Sequence, residues 1–497
     1  MRRLYQIAGL VFLLTISVPA AWSQQQQQPD QPQVPQQPEQ PEQPQQPQGQ
    51  EQPIPAYKSP LASQADNGDT GGNNPSQLAP DNRPLTGIQD LSLGVPRDRH
   101  SYWQPHAEVD LTADSEPPDT TAGGWTTWTT VVGGVDLHHY SGNTELTFDY
   151  LGGGVFSNDG SLGNGVLQDA NLEAAFTFRR WTLTLIDELR YTPEIAFGNT
   201  GFGGISTTIG VPLGLPIGID QTILSEFGQR LTNASAAQVN VVLSPRSSLT
   251  FSGGYSELYF FDQDLLDSTE IHFQAGYNYQ LSRADSVGIS YVFNGFRYSN
   301  FAQSIDTHSA LLSYGRRITG KLAFQISAGP EFAIFETSIS GGTTGSPPSG
   351  STNQLYWSLN TTLSYQLERT GISATYSHGV TGGSGVLAGA IGDAVLGTVS
   401  RKISRTLNGD IDLGYARNQG LAVPLAGLPT VTGTYDYLTA GGHLTHPWGR
   451  TVELTIGYQF QYQNSNASFC IGTACGGSYT RNLISVGLGW RAQPKVF

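Results

Sequence analysis

Two alternating runs flank a polar knot between Tyr356 and Val380, and the same arrangement returns along most of the chain. Trp357, Leu359, Leu363, Tyr365 and Leu367 hold every second position, and Thr361 alone breaks the run. Glu368-Arg369-Thr370-Gly371 follows, and then Ile372, Ala374 and Tyr376 alternate with Ser373, Thr375 and Ser377. A period of two means a strand with one apolar and one polar face. Two such strands across a short polar turn make a hairpin. The question is which medium each face meets.

Similar units lie at Val239–Tyr255 around Ser244-Pro245-Arg246, at Tyr279–Tyr291 around Ser282-Arg283-Ala284-Asp285, and at Leu312–Ile326 around Arg316-Arg317. Others surround Ser400–Arg405, Pro447–Arg450 and Arg179-Arg180. Most of these turns carry Arg. Longer stretches rich in Gly, Ser, Asn and Pro separate them, such as Ser157–Asp169, Phe197–Asp220, Ser340–Asn353, Gly382–Gly392 and Gln419–Thr434. Short turns at one end and long loops at the other are the pattern of an outer-membrane barrel. The spacing predicts an all-β, transmembrane antiparallel β-barrel of about sixteen strands, with both chain ends on the short-turn side. Strand one is expected near Asn143, and Trp125–Tyr140 reads equally as an extra strand or a plug segment. The strands match the roughly 9–11 residues needed to span hydrocarbon and exceed the globular norm of about five or six. Length therefore favours a barrel over a secreted sandwich or solenoid.

The N-terminus fits export. Arg2 and Arg3 precede an apolar stretch from Ile7 to Val18, and Ala21-Trp22-Ser23 offers a cleavage site, so residues 1–23 read as a signal peptide rather than a retained anchor. Residues 24–56 are nearly all Gln, Pro and Glu, a composition that cannot bury a core and is expected to stay disordered. Residues 57–124 read as a flexible periplasmic linker, and 125–497 as the barrel. This places the protein in the bacterial outer membrane with an N-terminal periplasmic tether. The net charge of −15 argues against a nucleic-acid partner. The chain has two Cys, Cys470 and Cys475, which can close a small-loop disulfide in an exported protein. Their spacing is not C-x-x-C and no His cluster accompanies them, so a metal reading is weak.

Aromatics near strand ends, Trp181, Tyr191, Tyr279, Tyr314, Tyr365, Tyr415 and Trp448, suit the girdles where a barrel wall meets the membrane interface. The opposite face then lines the lumen. Its charged candidates are Glu173, Glu188, Arg190, Glu270, His272, Glu331, Asp410, Asp412 and Glu453. Acids outnumber bases, and acid-lined pores favour cations. The competing reading is that these charges pair among themselves or with loop arginines and select nothing. No catalytic set emerges. His138 and His139 are adjacent, so on a strand they face opposite sides. No G-x-S-x-G, H-E-x-x-H or phosphate loop occurs in the right context. No enzyme activity and no cofactor are expected.

The repeated unit, Tyr-x-Leu followed by a turn holding Arg, resembles the β-barrel porins encoded near bacterial exopolysaccharide systems. Tyr279-Gln280-Leu281-Ser282-Arg283 and Tyr365-Gln366-Leu367-Glu368-Arg369-Thr370 carry it, with Ser400–Thr406 a looser copy, over residues 140–490. The resemblance implies an outer-membrane location and a part in polysaccharide export or surface assembly, but it transfers no site residues. The function expected from the residues is a passive channel for small hydrophilic solutes, mildly cation-preferring. The alternative is a non-enzymatic barrel that assists exopolysaccharide export or surface assembly. Expected partners are outer-membrane lipid and the outer-membrane insertion machinery. A homotrimer and polysaccharide-export components are partners to test.

Overall fold

The computed structural model describes residues 100–115, 124–158, 164–192, 229–261, 265–299, 303–337, 350–383, 387–421, 433–465 and 478–497. The candidate signal peptide, the Gln/Pro-rich segment, Cys470 and Cys475 lie outside the described residues.

The alternating runs form 18 long strands. They are β1 Tyr102–Asp114, β2 Thr126–Ser141, β3 Thr144–Ser157, β4 Gly165–Thr177, β5 Trp181–Thr192 and β6 Arg230–Ser244. Next come β7 Ser247–Phe260, β8 Ser268–Gln280, β9 Asp285–Tyr298, β10 Gln303–Arg317, β11 Leu322–Thr337 and β12 Gly350–Gln366. The last six are β13 Thr370–Thr381, β14 Ala390–Lys402, β15 Asn408–Gly420, β16 Thr434–Trp448, β17 Val452–Ser465 and β18 Tyr479–Arg491. A two-residue strand, β19 Lys495–Val496, follows. Each long strand pairs antiparallel with its neighbours in sequence, and β1 also pairs with β18 from His106↔Arg491 to Asp114↔Leu483. The sheet therefore closes on itself, and closure removes the unpaired edge that a spanning sheet cannot leave in hydrocarbon.

The expected count of about sixteen strands is corrected to 18. Both additional strands come from the N-terminal side. β1 lies inside the stretch read as linker, and β2 is the segment left between strand and plug. β1 does alternate: Trp103, Ala107, Val109, Leu111 and Ala113 face one way, while Gln104, His106, Glu108, Asp110, Thr112 and Asp114 face the other. Pro105 and the density of acids disguise it as linker. The Pro105 carbonyl accepts from the Ala492 N–H at 3.0 Å, and the Gln104 side-chain amide donates to the Ala492 carbonyl, which the missing Pro105 N–H leaves open. The missed turn is Ser141-Gly142-Asn143-Thr144, which carries no Arg. Gly142 there has φ of 55°, a conformation glycine adopts without cost.

The turns close through hydroxyls rather than through arginine. Ser282 Oγ accepts from the backbone N–H of Ala284 and Asp285, each at 3.0 Å. Thr319 Oγ1 accepts from Lys321 and Leu322, and Ser244 and Ser404 repeat the arrangement toward Arg246 and Thr406. Such local bonds satisfy turn N–H groups that the ladder cannot reach. Arg246, Arg283 and Arg405 in these turns are exposed, whereas Arg317 turns inward.

The two faces of the wall are inverted relative to a soluble protein. On β1, Leu111 is 51% exposed while Glu108 is 1% exposed. On β8, Ile271 is 52% exposed and Glu270 is 6% exposed. The pattern holds round the ring, with Val131, Leu185, Phe251, Ile289, Leu312, Leu363, Leu413, Ile456 and Leu488 all exposed. Trp181, Tyr279 and Trp448 stand outward beside the short turns. Nearer the loops, outward tyrosines donate to polar groups on the next strand. Tyr376 reaches Asp393 at 2.8 Å, Tyr415 reaches Asp436 at 2.7 Å and Tyr458 reaches Asn482 at 2.9 Å. Tyr291 is 2.7 Å from His308 Nδ1. Arg297 and Asp306 pair outward at 2.7 Å on the same half. The apolar outer band is thus bounded below by aromatics at the turns and above by hydrogen-bonded polar groups.

Candidate pore lining

Side chains alternate, and Leu185 and Leu189 on β5 and Val166 and Leu172 on β4 are exposed, so Glu188, Arg190 and Asp169 face inward, and the ladders carry that assignment round the ring. The nine charged residues expected at the lumen all have inward positions: Glu173 opposite Thr147, Glu188 opposite Asn171, Arg190 opposite Asp169, Glu270 and His272 on β8, Glu331 opposite Tyr356, Asp410 and Asp412 on β15, and Glu453 opposite Gly489. They do not form one cluster. Arg190 Nε is 2.8 Å from Asp169, and His443 Nε2 is 3.2 Å from Asp410. His272 Nδ1 is 2.6 Å from Asn294 Oδ1. Glu331 accepts the Val380 N–H at 3.1 Å.

The inward charge is uneven round the circumference. β1 to β5 bring Glu108, Asp110, Asp114, Asp136, Glu145, Asp149, Asp169, Glu173 and Glu188 to the lumen side. β15 and β17 add Asp410, Asp412 and Glu453 on the other side of the seam. Basic groups in this arc are fewer: His106, His138, Arg190, His443, Arg481 and Arg491. Asp136 lies 3.5 Å from His106 and 3.6 Å from Arg491. Arg481 pairs with Asp114 across the seam, with Nη2 2.6 Å and Nε 2.8 Å from one carboxylate oxygen. Sequence reading missed Glu108, Asp110, Asp114 and Asp136 because their strands were read as linker or left undecided. The alternation in β1 was the signal that could have found them.

The opposite arc is nearly free of charge. From β7 to β13 the inward positions are filled mainly by Ser, Thr, Asn and Gln, including Ser252, Gln274, Ser290, Ser313, Gln325, Ser327, Asn360, Thr362 and Thr375. Glu270, His272, Glu331 and Arg317 are the ionisable inward residues among those described there. At the loop end this wall turns apolar, where Phe296, Tyr298, Ile305, Ala333, Phe335 and Val380 pack together. Ala388 and Leu421, from the connections that follow β13 and β15, pack against the same cluster. Tyr298 donates to the Gly382 carbonyl at 3.0 Å, and Gln303 donates to the Ala388 carbonyl at 3.2 Å. Gly382 and Ala388, on either side of the connection after β13, therefore contact β9 and β10 at the loop end of this wall. Among the described residues no group of His, Cys, Asp and Glu is placed to hold a metal ion.

No protein-family model matches the chain, and no curated protein matches it. Among solved structures it is similar to OpdQ of Pseudomonas aeruginosa, at 10% identity and a TM-score of 0.38, over 79% of this chain and 98% of that one. OccAB3 of Acinetobacter baumannii gives 10% identity and a TM-score of 0.38, over 79% and 99%. The siderophore receptor PiuA of Acinetobacter baumannii gives 9% and 0.40, over 78% and 82%.

Proposed function

We propose that this protein is a porin-like channel of the bacterial outer membrane that passes small hydrophilic solutes and mildly prefers cations. The observation that carries the reading is the inversion of faces round a closed ring: exposed Leu, Ile, Val and Phe outside, buried Glu, Asp, Gln and Ser inside. Large exposed apolar surface marks contact with another apolar phase, and a closed antiparallel ring is the sheet that can live in it. Rings of 16–18 strands are wide enough to hold water. The acid excess near the seam supports cation preference. With the short turns on the periplasmic side, the N-terminal segment enters β1 from the periplasm. No arrangement among the described residues favours polysaccharide export over diffusion.

The test is conductance of the refolded protein in a planar bilayer under a potassium chloride gradient. Discrete open steps with a cation-side reversal potential are expected. A folded barrel that never conducts overturns the channel. Steps with anion preference keep the channel and overturn the role given to the acid arc.

A further inference from the structure

The uncharged wall has a finer pattern than the channel reading requires. Gln325 on β11, Thr362 on β12 and Thr375 on β13 are direct cross-strand partners, so they stand side by side in one row. Ser327, Asn360 and Ser377 form the next row along the same strands. Adjacent strands are about 4.8 Å apart, and successive inward residues on a strand about 6.8 Å apart. The two rows therefore make a grid of hydroxyl and amide groups, with no ionisable side chain in it.

These groups are not used up by one another. The buried oxygens Gln325 Oε1, Ser327 Oγ, Thr362 Oγ1 and Thr375 Oγ1 have no hydrogen-bonding partner among the described residues. Gln325 and Ser327 are themselves more than nine-tenths buried. Buried polar atoms without partners are costly and uncommon, at about 1–3 kcal/mol each. Hydroxyls and amides both donate and accept. They are poor substitutes for the hydration of a full charge, but they match a solute that offers a row of hydroxyls. The acid arc across the lumen supplies what a cation needs, and this wall supplies what a cation does not.

We infer that the β11–β13 wall is a binding track for neutral polyhydroxylated solutes, that is, sugars and their short oligomers. The inference rests on the channel reading and adds a solute class to it. A solute moving along the track exchanges water for hydroxyl and amide partners at successive rows, so it lingers there and slows the ion current.

The experiment is current block in single channels of the full-length protein by maltohexaose, with a polyethylene glycol of similar hydrodynamic size as control. The ether has no internal hydroxyl donors. The variant is the double substitution Thr362→Val and Thr375→Val, which keeps shape and strand preference while removing both hydroxyls. Wild type is expected to show sugar-dependent interruptions beyond those from the ether. The variant is expected to lose about fivefold in apparent sugar affinity, on the scale of one or two lost hydrogen bonds, with block read relative to each protein's own open-channel current. If sugar and ether act alike, or the variant matches wild type, the track is wrong and the channel stands. If wild type never conducts, the channel itself fails and the track with it. Ser327→Ala guards against misfolding of the double variant: it removes one unpartnered hydroxyl and is expected to shift sugar block in the same direction.

Discussion

The seam between the first and last strands predicts a measurable weakness. Asp114 is 0% exposed and Arg481 is 3% exposed at the side chain, and two guanidinium nitrogens approach one carboxylate oxygen. Replacing Asp114 with Ala removes the carboxylate that lies 2.6 and 2.8 Å from a buried guanidinium. Breaking a buried pair from one side costs on the order of 3–5 kcal/mol. At about 1.4 kcal/mol per decade, that lowers the folding equilibrium constant by roughly two to three and a half powers of ten. Replacing both partners with apolar residues, Asp114→Leu with Arg481→Met, removes the buried guanidinium as well and is expected to cost much less than Asp114→Ala. The assay is urea-dependent unfolding in lipid vesicles, followed by tryptophan fluorescence and by the mobility of unheated protein on a denaturing gel. An Asp114→Ala protein within about 0.5 kcal/mol of wild type, the scale of an exposed pair, would refute the reasoning. So would a double variant that is worse than either single one. In both cases the backbone ladder alone holds the seam.

Two further outcomes follow from the faces of the wall. Leu413 lies outward in the middle of β15, so Leu413→Arg should destabilise the barrel by about 2–4 kcal/mol in vesicles. Leu444→Arg, outward but closer to a short turn, should cost less, and equal costs would contradict the placement of the apolar band. Asp410→Asn with Asp412→Asn removes two inward acids beside the seam. The reversal potential under a salt gradient should move toward zero, and no movement would assign the cation preference elsewhere.

Much of this architecture was legible because lipid and water impose opposite demands on alternate residues. Wherever a strand met both media cleanly, as at Trp357–Leu367 or Val452–Tyr462, periodicity gave the strand, its faces and its inward charges. β1 escaped because six of its thirteen residues are polar lumen residues and one is proline, a composition that resembles linker unless read two positions at a time. The Ser141–Thr144 turn is hard to read because the segment before it, Trp125–Tyr140, fits a strand and a plug alike. The structure shows Ser and Thr hydroxyls closing several of the short turns, with Arg246, Arg283 and Arg405 exposed beside them. The outward ladder of Tyr376, Asp393, Tyr415 and Asp436 could not be read from alternation, which treats every outward polar residue as an exception. Its logic is pairing between strands, and pairing depends on register. The unsatisfied row at Gln325, Thr362 and Thr375 was hidden for the same reason, since those residues lie on three different strands.

The seam also sets a clock. Asp114 and Arg481 are 367 residues apart in the chain. At about 5–20 residues per second of synthesis, roughly 20–70 s pass between completion of one partner and the other. Through that interval β1 lacks the strand that pairs with its far side, and the barrel cannot close. β2 pairs with one side of it, and the other side is complementary to β18. A chain stopped before Asn482 would keep two open edges and could not settle in hydrocarbon. Closure therefore waits on the last strand, and the strand that waits longest for its partner is the one whose composition looks least like a strand.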